Sequence, residues 1–229
     1  MEFSALGLLI YGLPLLLAIP LHEAAHGWAA WKLGDPTAKY MGRVTFNPIK
    51  HIDPVGTIAL PVLLILSGIP FVFGWAKPVP VNFALLHKPR RDSALVAAAG
   101  PAVNIVLALL SALALRLLFD DAAFLRGDAD WWAKMLVFSL FLNLALAIFN
   151  LMPILPMDGG RILNSFLPRK ASEWYSKSER YGMTLPLAIF VIPTVLGTFF
   201  GQNWSIFSHF LAPFIQKMAI FMLEIVGFS

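Results

Sequence analysis

The chain has 229 residues, of which 59% are hydrophobic and only 13% charged. A soluble domain carries about 25% charged residues, so this composition excludes an ordinary soluble protein and points to a bilayer. The 17 lysines and arginines outnumber the 13 acids, yet they sit mainly in loops between apolar runs and form no basic helix, which argues against nucleic acid as a partner.

Residues 6–31 form the first apolar run long enough to cross a membrane. The preceding Met1-Glu2-Phe3-Ser4 lacks the basic region of a cleavable signal, so the run reads as a retained helix. Within it lies His22-Glu23-Ala24-Ala25-His26. Histidines four apart share one helix face and can reach one metal ion. Glu23 projects beside them, where a carboxylate can take a proton from metal-activated water. Imidazole and carboxylate are costly in hydrocarbon, which marks the pentapeptide as functional. Two histidines merely hydrogen-bonded inside a bundle would leave Glu23 unexplained. Pro20 removes the helical donor for the Leu16 carbonyl, which favours a bend or hydration at this level.

A basic loop follows at 32–53, with Lys32, Lys39, Arg43 and Lys50 against Asp35 and Asp53. Residues 42–46 alternate in the manner of a strand. Residues 55–73 are apolar but interrupted by Pro61, Gly68 and Pro70. The stretch Lys77-Pro78-Val79-Pro80-Val81-Asn82 cannot be regular helix. Its prolines lack donors on one side while Val79 and Val81 keep theirs on the other, the pattern of a strand edge that accepts substrate by β-addition.

Two further firm spans are expected at 94–119 and 132–151, separated by an acidic loop at 120–130 with four aspartates and only Arg126. The positive-inside rule puts 32–53, 77–92 and 161–180 in the cytoplasm and the acidic loop outside. Residues 55–73 must then enter and leave by one face, as a re-entrant hairpin. The first helix runs inward with His22 and His26 in its cytoplasmic half. The third firm span also runs inward, and Pro153, Pro156 and the Gly159-Gly160 pair then present Asp158 on a tight turn at similar depth. Weaker apolar stretches cover 185–200 and 206–228, the latter carrying Lys217. A catalytic zinc takes three protein ligands. Asp158, His51 and Asp53 are candidates for the third, and topology favours Asp158. His87 and His209 look incidental. The absence of cysteine excludes thiolate ligands.

The pentapeptide, Asn-Pro-Ile-Lys-His-Ile-Asp-Pro at 47–54, Phe-Gly-Trp-Ala-Lys-Pro-Val-Pro-Val-Asn at 73–82, Ala-Gly-Pro-Ala-Val-Asn at 99–104 and Asn-Leu-Met-Pro…Met-Asp-Gly-Gly at 150–160 together resemble the site-2 protease family of intramembrane zinc metalloproteases. The likeness covers roughly residues 15–165 and is to the short bacterial and archaeal subgroup. Met157 stands where the family usually has leucine in its Leu-Asp-Gly. The resemblance implies one zinc ion per chain, held by His22, His26 and Asp158, with Glu23 as general base and acid. It places Asn150 near the site, as a substrate-orienting or oxyanion residue or else a helix-terminal hydrogen bond. Asn104 is expected to serve a structural hydrogen bond.

The expected architecture is mainly α: a polytopic membrane helix bundle with a re-entrant hairpin and short membrane-associated β segments. It forms a single domain over 1–229, with a core at 5–165 and accessory helices at 184–228. The expected activity is endopeptidase cleavage in or near transmembrane segments of membrane proteins. The expected location is the cell membrane, with the active site facing the cytoplasmic half of the bilayer. A membrane zincin for prenylated proteins would need a glutamate ligand in a Glu-x-x-x-Asp context, which Glu173, Glu179 and Glu224 lack. A metal-binding protein or transporter on the same scaffold would keep its function after Glu23→Gln.

Overall fold

The computed structural model describes residues 5–67, 74–119, 130–202 and 204–228. Helix α1 (Leu13–Lys32) continues a π-helical stretch, Leu8–Gly12. It is followed by α2 (Pro54–Leu66), α3 (Pro89–Leu118), α4 (Trp131–Asn150), α5 (Asp158–Phe166), α6 (Arg169–Ser176), α7 (Thr184–Phe199) and α8 (Ala212–Ile225). Leu9–Lys32, Pro89–Leu118 and Trp131–Asn150 are long and apolar enough to span a membrane. These are the three expected firm spans, and the protein is a mainly helical membrane protein.

The spans are built with small groups inside and large apolar groups outside. Helix α3 buries Ala97, Gly100, Asn104, Ala108, Ser111 and Ala112, and exposes Ile105, Val106, Leu109, Leu110 and Leu113. Between helices in lipid there is no hydrophobic driving force, so close approach across small residues supplies the packing. That face lets α3 sit between α1 and α4, touching both. Helix α1 follows the same logic: Ala18, Ala24, Gly27 and Ala30 are buried, while Leu13, Leu16 and Leu17 face outward. The C-terminal helices join the same core, with Phe190, Ile215, Ala219 and Leu223 packed with Leu115, Leu140 and Leu144.

Helix α2 is too short to be a span. Asp53 caps it, accepting from Val55 N and Gly56 N at 3.0 and 2.7 Å, and Pro54 starts it where a missing N–H does no harm. Although 68–73 lie outside the described residues, the chain returns to its point of departure. Trp75 N donates to Gly56 O (3.1 Å), Thr57 Oγ1 donates to Trp75 O (2.9 Å), and Lys77 N donates to His51 O (2.9 Å). The acidic loop at 120–129 lies outside the described residues.

The expected β segments do not form; no strand occurs among the described residues. Side chains and loop carbonyls take the backbone groups a ladder would need. In the first segment Arg43 N is bound to Ala38 O, and Thr45 O accepts from the His51 ring. In the second, Val79 N donates to Glu23 and Asn82 N to Asp35, while the carbonyls of Lys77 and Pro78 accept from Arg43. With Pro78 and Pro80 unable to donate, this leaves an extended strap across α1 in place of a pairing edge. The Val79 N–H, expected to receive substrate, is already engaged.

Candidate active site

Two neighbouring turns of α1 put His22 and His26 on its buried face, with ring centroids 4.7 Å apart. Each Nδ1 is engaged. His26 Nδ1 donates to Val96 O at 2.7 Å, and His22 Nδ1 meets Asn104 Oδ1 at 2.5 Å. The direction of that second bond is set by a relay: Asn104 Nδ2 donates to Asn143 Oδ1 (2.8 Å), and Asn143 Nδ2 donates to Ser139 O (2.9 Å). Asn104 therefore offers oxygen to the ring, and both imidazoles carry their proton on Nδ1. Both Nε2 lone pairs then point inward.

Asp158 opens α5, brought there by the loop that Pro153 and Pro156 impose after α4. Its Oδ2 lies 3.3 Å from each Nε2, and the two Nε2 atoms are 3.0 Å apart. Three acceptors converge, and Oδ2 is buried without a hydrogen-bond donor. Such a cluster is repulsive unless a cation occupies its centre. Zinc bonds of about 2.0–2.1 Å at tetrahedral angles set ligand atoms roughly 3.3 Å apart, so the donor set fits that ion. With the imidazole protons on Nδ1, neither Nε2 has a hydrogen to give Asp158, so the carboxylate and the two rings offer the centre only lone pairs. Helix α5 is also not the tight turn expected around Asp158. Gly159 and Gly160 lie in its first turn with ordinary helical φ; they are needed because a Cβ at either would strike the 151–155 backbone, at 2.0 Å from Leu151 O and 2.6 Å from Ile154 C.

Glu23, beside the cluster, receives the Val79 N–H on Oε2 at 2.8 Å. His51 and Asp53 are occupied elsewhere, with Thr45 O and with the cap of α2. Among the described residues only His22, His26 and Asp158 form a group able to hold a metal. Asn150 Nδ2 donates to Leu146 O of its own helix at 2.9 Å. Asn104, expected to serve a structural hydrogen bond, meets His22 with its oxygen and Asn143 with its nitrogen. Asn143 and Gly100 were not legible as part of the site. Asn143 carried a usable signal, an amide in the middle of an apolar span. Gly100 allows α3 to lie against the rings, since a Cβ there would fall 2.4 Å from His26 Nε2 and 2.6 Å from His22 Cε1.

The sequence profile of peptidase family M50 matches residues 126–193, a stretch that contains Asp158. The "Putative zinc metalloprotease YwhC" of Bacillus subtilis is 40% identical over 184 residues, covering 78% of this chain and 78% of that protein. The chain belongs to peptidase family M50, the site-2 protease family. The "Putative zinc metalloprotease Rip2" of Mycobacterium tuberculosis is 34% identical over 202 residues, 86% of this chain and 74% of that protein. No solved structure gives a significant match. As an M50 member the chain is a zinc-dependent protease.

Proposed function

We propose that this M50 protease is an intramembrane endopeptidase that cuts membrane-anchored proteins within or beside a transmembrane segment. His22 Nε2, His26 Nε2 and Asp158 Oδ2 hold its single zinc, and Glu23 is the general base and acid. The observation that carries the reading is the three convergent acceptors, two of them set inside a membrane-length helix. At 1.5 Å rise per residue, His22 and His26 lie roughly 15 and 9 Å inward from the Lys32 end.

Zinc bound there supplies Lewis acidity, activating water near neutral pH and polarising the scissile carbonyl. The residues do the rest. Glu23 Oε2 is fixed by the Val79 amide, so Oε1 takes the proton from the attacking water. The same carboxyl returns that proton to the departing amine nitrogen. Asn150 spends its amide nitrogen on Leu146 O, which leaves Oδ1 to accept a substrate N–H; its role is to orient substrate. The hairpin that leaves and returns at Gly56 and Trp75 is re-entrant. With the basic loops at 32–53 and 77–92 on the cytoplasmic side of the cell membrane, the zinc faces the cytoplasmic half, where water can reach it.

The test is cleavage of fluorescently tagged single-span proteins in proteoliposomes by wild type and Glu23→Gln. The expected result is loss of cleavage by at least about 100-fold, the scale of general acid–base catalysis, with zinc content unchanged. Equal cleavage by both forms, or zinc-dependent ion flux that survives Glu23→Gln, would refute the proposal.

A further inference from the structure

Arg43 is the charged side chain the site has not yet accounted for. It is 7% exposed, forms no ion pair among the described residues, and its buried Nε has no partner. Burying a guanidinium without a carboxylate is expensive, so its place calls for a reason. Its Nη2 donates to Lys77 O at 2.8 Å and to Pro78 O at 3.3 Å. The Pro78 carbonyl and the Val79 N–H are the two ends of one peptide group, and that N–H donates to Glu23 Oε2. A cation thus sits at the negative end of the peptide dipole and a carboxylate at its positive end. Both contacts are charge-assisted, and each polarises the peptide in the sense that strengthens the other.

Packing makes the alignment rigid. Gly42, at φ 62°, turns the chain ahead of Arg43, and the Arg43 N–H is bound to Ala38 O at 2.9 Å. Val44 and Val79 then seat in one notch of α1, at Gly27. A Cβ there would meet Val44 Cγ2 at 2.9 Å and Val79 Cγ1 at 3.1 Å. The two loops therefore converge on the turn of α1 that carries Glu23 and His26. The strap has no sheet partner, so Arg43 holds carbonyls that a ladder would otherwise hold.

We propose that Arg43 is a positioning residue for proteolysis: it fixes the Pro78–Val79 peptide, which in turn fixes Glu23 with Oε1 aimed at the reacting water. The inference rests on Glu23 being the general base.

The experiment uses the zinc-loaded full chain in proteoliposomes, as wild type, Arg43→Gln and Arg43→Lys. Hydrogen exchange of the peptide spanning 76–82, whose prolines leave few exchanging amides, reads the positioning without any substrate. Arg43→Gln should speed that exchange about tenfold while exchange of α3 and zinc content hold. With a fluorescent single-span protein that wild type cleaves, kcat should fall at least tenfold with KM within twofold, and Arg43→Lys should recover most of the loss. Wild-type exchange in Arg43→Gln overturns the positioning, and an equal loss in Arg43→Lys and Arg43→Gln overturns the role of the charge. If Arg43→Gln does not fold, Val79→Pro removes the N–H and must lower kcat alike; unchanged kcat refutes the relay. Failure of wild type to cleave any such protein would sink the intramembrane reading, and the exchange result would still decide the positioning.

Discussion

Replacing Gly100 with alanine tests whether the cluster geometry is set by helix packing. The added Cβ would stand 2.4 Å from His26 Nε2 and 2.6 Å from both His22 Cε1 and His26 Cε1. An ordinary contact needs about 3.4 Å, so a ring must move by roughly 1 Å or α3 must retreat. Neither is easy, because both Nδ1 atoms are tied to α3 itself, at Asn104 and Val96. Overpacking of this kind costs about 1–3 kcal/mol. Borne by the metal-bound form, that corresponds to about a 5- to 150-fold loss of zinc affinity. Helix propensity acts the other way, since alanine favours a helix by roughly 0.5–1 kcal/mol over glycine, so any loss must come from the clash. Affinity is read by competition with a chromophoric chelator. Gly12→Ala is the matched control, for nothing lies within 4 Å of its Cβ position. Wild-type zinc affinity in Gly100→Ala would refute the reasoning.

Two other outcomes follow from the same contacts. Asn104→Ala frees the His22 Nδ1 proton and breaks the relay to Asn143; chelator competition should show zinc affinity down about 10- to 100-fold, with Asn143→Ala losing less. Acidification should release zinc as protons take the imidazole nitrogens, because a metal-bound imidazole must keep its ligating nitrogen unprotonated. A zinc titration against pH whose midpoint fell below about 3, the carboxylate range, would contradict this.

The parts of the site that sequence made legible are those fixed by local spacing or by chain direction. His22, Glu23 and His26 follow from one helical turn, and Asp158 from counting the sides on which loops emerge. Residues 42–46 and 77–82 misled because alternation records only what each residue offers its immediate surroundings. Their backbone groups are taken by Glu23, Asp35, Arg43 and His51, partners distant in sequence for the strap. Gly100 and Asn143 stayed hidden for a related reason: which face α3 turns to α1 and α4 is a property of three helices together. The glycine pair after Asp158 was assigned to a turn because glycine tolerates both tight turns and close approach, and only the 151–155 backbone distinguishes them.

The ligand set also has a mechanical meaning. His26 and Asp158 are separated by more than half of the chain, so an ion bound between them staples the first helix to the segment beyond the third span. Anything that binds the folded form alone adds RT ln(1 + [L]/Kd), about 4 kcal/mol at a thousandfold excess over Kd. An ion held there would be a cross-link as well as a catalyst. A chain that loses it gives up part of what holds its helices together along with its chemistry.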